Sequence, residues 1–134
     1  MNSTFSGDSL ERHDDVNLAI AVALGEQESE GLLTPIIPHC QNLSLVEIAA
    51  ESKNAIERAR TGKLNTVDLS GGTFTVSNLG MFGVRSFEAI VNPPQSAILA
   101  VGSIRREPTF DAFDRVIAVQ WMTTTVSADH RVSD

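Results

Sequence analysis

Cysteine is almost absent from this chain of 134 residues, with Cys40 standing alone. An intramolecular disulfide framework is therefore excluded, and a single thiol fits a reducing compartment. Long apolar runs are missing too. The longest, Leu18-Ala19-Ile20-Ala21-Val22-Ala23-Leu24, is far short of the ~20 residues that span a bilayer, so no membrane role is expected. The opening Met1-Asn2-Ser3-Thr4-Phe5 lacks the basic-then-apolar order of a secretory signal. Cations are scarce: ten Lys and Arg stand against seventeen Asp and Glu, a formal net charge of −7. No nucleic-acid partner is expected either, because phosphate recognition concentrates Lys and Arg. No internal repeat or low-complexity tract occurs. What the chain does have is 42% hydrophobic and 20% charged residues, which excludes a disordered tail or a fibre. Its length corresponds to about one domain. The expectation is a soluble, acidic, intracellular chain of α/β class.

Gly7-Asp8-Ser9 is turn chemistry, and Leu10 to Asp15 reads as a polar connection. Asn17 to Leu24, apolar on both faces, predicts a strand in a sheet covered on each side. An acidic loop, Gly25 to Gly31, follows. Leu32 to Ile37 predicts a second strand, with Pro35 marking an edge, a bend or a bulge. Ser44 to Arg60 is the clearest helix: Ser44 and Glu47 have the spacing of a capping box, and Gly62 can end it. Leu45, Ile48, Ala49, Ile56 and Ala59 share one face at helical spacing. Thr73 to Asn78 predicts a β-branched strand that breaks at Asn78-Leu79-Gly80. Ser86 to Val91 fits either a helical turn or a strand, and Asn92-Pro93-Pro94-Gln95 is a stiff turn. Ser96 to Gly102 predicts a buried strand, Arg105 to Asp111 a polar turn, and Val116 to Ala128 one long final strand. A chain ending inside Asp129-His130-Arg131-Val132-Ser133-Asp134 is expected to continue, with a helical segment next.

Three histidines could carry chemistry. His13, in a charged connector, reads as a solvated surface residue. His39 precedes Cys40, but a metal site needs more ligands than this pair, so both read as loop residues. Cys40 lacks the basic surroundings of a nucleophile. His130 follows a long strand and is flanked by Asp129, Arg131 and Asp134, the setting in which functional imidazoles and ion-pair networks both occur. His130 with Asp134 alone makes no metal site. Ser77 is, on the plain reading, a strand-end hydroxyl bonding its own backbone. Its position before Asn78-Leu79-Gly80-Met81-Phe82-Gly83 also lets it donate to a developing oxyanion.

Four blocks together carry a family resemblance. They are Asp15 to Ala23 (DVNLAIAVA), Gly31 to Ile37 (GLLTPII), Ala55 to Leu64 (AIERARTGKL) and Gly71 to Gly102 (GGTFTVSNLGMFGVRSFEAIVNPPQSAILAVG). With Asp129 to Asp134 matching a DHRxxDG signature short of its glycine, the chain resembles the catalytic domain of the dihydrolipoamide acyltransferases of 2-oxo acid dehydrogenase complexes. The resemblance implies a chloramphenicol-acetyltransferase-like fold, a mixed sheet flanked by helices in an α+β two-layer arrangement. Residues 1–134 would be a partial domain, the C-terminal part of a single catalytic domain whose front elements and final helix lie outside the sequence. The loop 25–31 is longer than the family pattern.

The implied reaction moves an acyl group from a dihydrolipoyl thioester to the thiol of coenzyme A, and SNLGMFG with NPPQ points to acetyl. By carry-over, His130 is the general base and Ser77 the oxyanion donor, the two coming from different subunits of a homotrimer that builds a larger core. Asp134 is an orienting or ion-pairing residue whose partner is Arg131 or an arginine outside this sequence, Asp129 is structural, and Asn78, Leu79 and Gly80 lie near coenzyme A or lipoamide. Coenzyme A is a substrate, the lipoyl group belongs to a separate domain, and no metal is implied. The implied partners are that lipoyl domain and the 2-oxo acid dehydrogenase and dihydrolipoamide dehydrogenase components, in bacterial cytoplasm or the mitochondrial matrix. Two alternatives stand beside this: an inert scaffold fragment of the same complex, and a free-standing chloramphenicol-type acetyltransferase.

Overall fold

The computed structural model describes residues 2–25 and 31–133. Asp134 and the centre of the acidic loop, residues 26–30, lie outside the described residues. The centre of the fold is a mixed five-stranded sheet in the order β11-β8-β7-β3-β6, formed by β3 (Leu18–Ile20), β6 (Ile36–Ile37), β7 (Phe74–Asn78), β8 (Ala97–Val101) and β11 (Thr124–Ala128). β3, β7 and β8 run parallel; the edge strands β6 and β11 run antiparallel to their neighbours. Ala19, Thr75, Ala97 and Ala100 are buried along these strands, small side chains that let covering segments approach closely.

One α-helix occurs among the described residues, α1 (Leu45–Arg60), where the family pattern implied helices in the plural. It starts as its sequence dictates: the Ser44 hydroxyl accepts the Glu47 N–H, and the Glu47 carboxylate accepts the Ser44 N–H at 2.7 Å. Arg58 in the last turn pairs with Asp68, tying the helix end to the 3-10 turn Val67–Leu69. α1 packs against β6, where Ile37 is buried. The buried helical positions are Ala55 and Ala59, while Leu45 is 85% exposed and Ala49 is also exposed. The expected apolar face is thus rotated: the stripe covering the sheet begins at Ile48 and runs along the C-terminal half.

The expected strand 17–24 divides into β3 and β4 (Val22–Ala23) because the chain changes partners. β3 pairs with β6 and β7, Ala21 still donates to Val76, and β4 then pairs with β5 (Leu32–Leu33). Pro35, which has no N–H, separates β5 from β6, yet its carbonyl still accepts the Ile20 N–H at 2.9 Å. Three further expectations are corrected. Leu10 to Asp15 begins as a strand, β2 (Ser9–Arg12), antiparallel to β1 (Ser3–Ser6). The supposed polar turn at Arg105 is β9 (Arg105–Phe110); its polarity reflects a hairpin edge, and the real turn sits at Asp111–Arg115, where the Asp111 carboxylate accepts the N–H groups of Phe113 and Arg115. The single final strand is two, β10 (Val116–Trp121) in the hairpin and β11 in the main sheet. The β9–β10 hairpin packs chiefly strand on strand and leaves Phe110, Val116 and Trp121 more than half exposed. Ser86 to Val91 forms neither helix nor strand.

Candidate active site

Ser77 lies near the C-terminal end of β7, half-buried, opposite Ala100 of β8. The chain turns sharply beyond it. The Asn78 side-chain carbonyl accepts the Gly80 N–H at 2.8 Å, and Leu79 donates to the Val101 carbonyl. A Cβ on Gly80 would stand 2.7 Å from the Gly102 carbonyl oxygen, so only glycine lets the loop pass this close to the end of β8. Met81 and Phe82 project from the loop into solvent. The Asn-Leu-Gly segment is therefore a rigid rim beside Ser77.

His130, the second expected site residue, lies in a turn built on Asp129. The Asp129 N–H donates to the Ser96 carbonyl at 2.8 Å, and its own carbonyl accepts from Val132 and Ser133. Its carboxylate accepts the Arg131 N–H at 3.0 Å and grips the guanidinium through Nε and Nη2 at 2.6–3.2 Å. Those bonds, the Arg131 side chain foremost, lower the Asp129 pKa from 3.8 to about 2. Asp129 is structural, as expected. Arg131 pairs with Asp129, since a two-residue separation across a tight turn lets the planar fork meet both carboxylate oxygens. Asp134 itself lies outside the described residues. His130, between the two clamped residues, is exposed.

The structure does not bring Ser77 and His130 together within one chain. Ser77 is level with Ala100, and Ala100 with Thr125 of β11. Because β11 runs opposite to β7, Ala128 already lies about 10 Å back toward the start of β7 at the usual strand rise, and His130 follows in the turn beyond. The hydroxyl and the imidazole occupy opposite ends of one sheet.

The remaining candidates have structural tasks. His13 is half-buried rather than fully solvated, with Nε2 2.7 Å from the Thr4 hydroxyl of β1. Its neighbours in sequence are polar, but hairpin pairing turns it inward. His39 adopts a left-handed conformation at φ 53° and places Nδ1 3.0 Å from Asp15. The Cys40 thiol donates to the Ile37 carbonyl. Among the described residues no group of three or more His, Cys, Asp or Glu is arranged to hold a metal ion, and no helix is long and apolar enough to cross a membrane. A cleft of about 390 Å³ lies against the Asp129 turn, lined by Phe5, Pro93, Pro94, Gln95 and Arg131. Gln95 is buried and accepts the hydroxyl hydrogen of Thr75. Phe5 had no distinguishing signal in the sequence, yet the Arg131 guanidinium sits 4.5 Å over its ring.

A mixed sheet with parallel centre, antiparallel edges and α1 on one side defines an α/β acyltransferase fold of the chloramphenicol-acetyltransferase-like class. The chain belongs to the family described as 2-oxoacid dehydrogenases acyltransferase (catalytic domain), whose model matches residues 1–134. It is 38% identical over 133 residues to the dihydrolipoyllysine-residue acetyltransferase component of the pyruvate dehydrogenase complex of Rickettsia felis, spanning 99% of this chain and 31% of that protein. It is 41% identical over 138 residues to the mitochondrial counterpart of Schizosaccharomyces pombe, spanning 100% of this chain and 27% of that protein. The chain thus spans about a third or less of these relatives. Among solved structures, the dihydrolipoamide acetyltransferase of Azotobacter vinelandii, studied for the roles of a serine, a histidine and an asparagine in its catalytic mechanism, superposes with a TM-score of 0.88 at 35% identity, over 99% of this chain and 54% of that one. The cubic core of the pyruvate dehydrogenase multienzyme complex gives 0.87 at 34%, over 98% and 53%.

Proposed function

We propose that the protein transfers an acetyl group from an S-acetyldihydrolipoyl group to the thiol of coenzyme A, with His130 as general base and Ser77 as oxyanion donor. A thiol with an ordinary pKa near ~8.5 is mostly protonated at neutral pH. His130 accepts that proton as the sulfur attacks the thioester carbonyl, forming the new C–S bond. Ser77 donates its hydroxyl hydrogen to the oxygen that gains negative charge. As the intermediate collapses, the bond to the lipoyl sulfur breaks and His130 returns the proton to that leaving sulfur. No acyl-enzyme is formed and no redox change occurs. Asp134 orients the base. Asn78, Leu79 and Gly80 form the rim along which coenzyme A or lipoamide lies.

The observation that carries this reading is the sheet register. With the hydroxyl at one end of the sheet and the imidazole at the other, one chain offers half of each of two sites, and a head-to-tail ring of copies completes them. A homotrimer built into a larger core supplies that ring, and the relative solved as a cubic core supports it. In the Azotobacter vinelandii protein, the serine precedes the histidine by 52 residues and the asparagine follows it by four. Here Ser77 precedes His130 by 53 and Asp134 follows by four, an acid standing where that protein has an amide. The acyl donor is carried by a lipoyl domain, and the other partners are the 2-oxo acid dehydrogenase and dihydrolipoamide dehydrogenase components. The location is the bacterial cytoplasm or the mitochondrial matrix, a reading supported by relatives that are bacterial or named mitochondrial.

The test uses two inactive variants. Separately, His130→Ala should lower transfer by at least about 10²–10⁴-fold, and Ser77→Ala by about 10²-fold, roughly 3 kcal/mol, with coenzyme A affinity unchanged. Co-expressed in equal amounts, they should recover about a quarter of the wild-type rate, because random mixing leaves one head-to-tail interface in four intact. Rates in the mixed assembly no higher than the mean of the two variants would refute the shared site.

A further inference from the structure

We propose that Phe5 is a positioning residue for His130: its ring holds the face of the Arg131 guanidinium and thereby fixes the turn that presents the imidazole. This rests on the reading of His130 as the base. The bonds inside the turn, from Asp129 to Arg131, Val132 and Ser133, set its internal shape. The Asp129 N–H fastens its entry to the sheet at Ser96. A turn shaped internally and fastened at its entry still needs a second fixed point, or it pivots as a unit and carries the imidazole with it.

Arg131 provides that point because a guanidinium has an edge and a face. The edge is occupied by the Asp129 carboxylate, and the guanidinium carbon, Cζ, lies over the Phe5 ring, 4.5 Å from its centroid. Phe5 is in turn held by the β1–β2 hairpin, opposite Leu10, and borders the same cleft as Pro93 and Pro94. The first hairpin therefore buttresses the turn at the far end of the chain. Small displacements of a catalytic group cost rate steeply, so a contact that touches no substrate still acts on turnover.

Phe5→Leu keeps apolar bulk and removes the ring face; Phe5→Trp keeps a face and strengthens it. In the assembled protein, Phe5→Leu should lower kcat about five-fold with KM for coenzyme A and for the acetyl donor unchanged. Amide hydrogen exchange at residues 129–133 should quicken while exchange in α1 stays as in the wild type, and Phe5→Trp should restore both. Wild-type exchange at 129–133 in Phe5→Leu overturns the proposal. So does a loss shared with α1, or one that Phe5→Trp leaves unrepaired, since either marks general loosening. If His130→Ala retains full activity, the base reading falls on its own, while the exchange data still decide whether Phe5 holds the turn.

Discussion

At Asp129, charge and backbone geometry act on the same few atoms. The carboxylate that grips Arg131 also accepts a main-chain N–H, and the Arg131 side chain is the largest cause of its lowered pKa of about 2. The folded protein therefore binds this proton less readily than the unfolded chain does. The resulting stabilisation is complete above the ordinary value of 3.8 and disappears as the pH falls to about 2. Denaturant unfolding followed through that interval should show an acid loss of stability that is smaller in Asp129→Asn, and the Asp129 carboxyl signal should titrate near 2 by carbon NMR. A midpoint at the ordinary value would remove the clamp. The same residue shows what reading by motif reaches and misses. Asp129 was legible as structural because the hexapeptide marks it. Its partnership with Arg131 was not, because a second acid, Asp134, lies only one residue further from Arg131 along the chain, and nothing in the sequence marks Phe5 as the residue across from Arg131.

Helix α1 is the element most fully encoded in local sequence, since the Ser44–Glu47 cap is a contact between near neighbours. Ser44→Ala should cost about 1 kcal/mol and lower the thermal midpoint by a few degrees, without touching the chemistry at either end of the sheet. A midpoint equal to wild type would mean that the cap is redundant with packing against β6. Position on the sheet was less legible than the helix itself. Leu45 and Ala49 have the right spacing for burial but are exposed, whereas Ala55 and Ala59 are buried. The strands show the converse. Val116 to Ala128 alternates well enough to read as one strand, so only the change of partner, from β9 to β8, reveals the break at Met122 and Thr123. Arg105 to Phe110 is polar yet pairs along its whole length with β10, and polarity alone reads as loop.

At the scale of the whole molecule, strand direction matters most. Had β11 run parallel to β8, the chain would deliver the His130 turn beside Ser77, and one copy would hold both groups. Running antiparallel, it separates them, which is a property of pairing and not of any motif. The resemblance carried the expectation of a site shared between copies; the register, which parts Ser77 from His130 within one chain, is the observation that supports that proposal. The β9–β10 hairpin carries a practical corollary. Trp121, the chain's only tryptophan, stands on it with 52% of its surface open to water, so intrinsic fluorescence is a single-site gauge of whatever shelters that ribbon. Emission should move to the blue, and iodide quenching should weaken, as concentration rises and copies associate. A spectrum independent of dilution, while sedimentation registers dissociation, would place the ribbon outside every contact between copies.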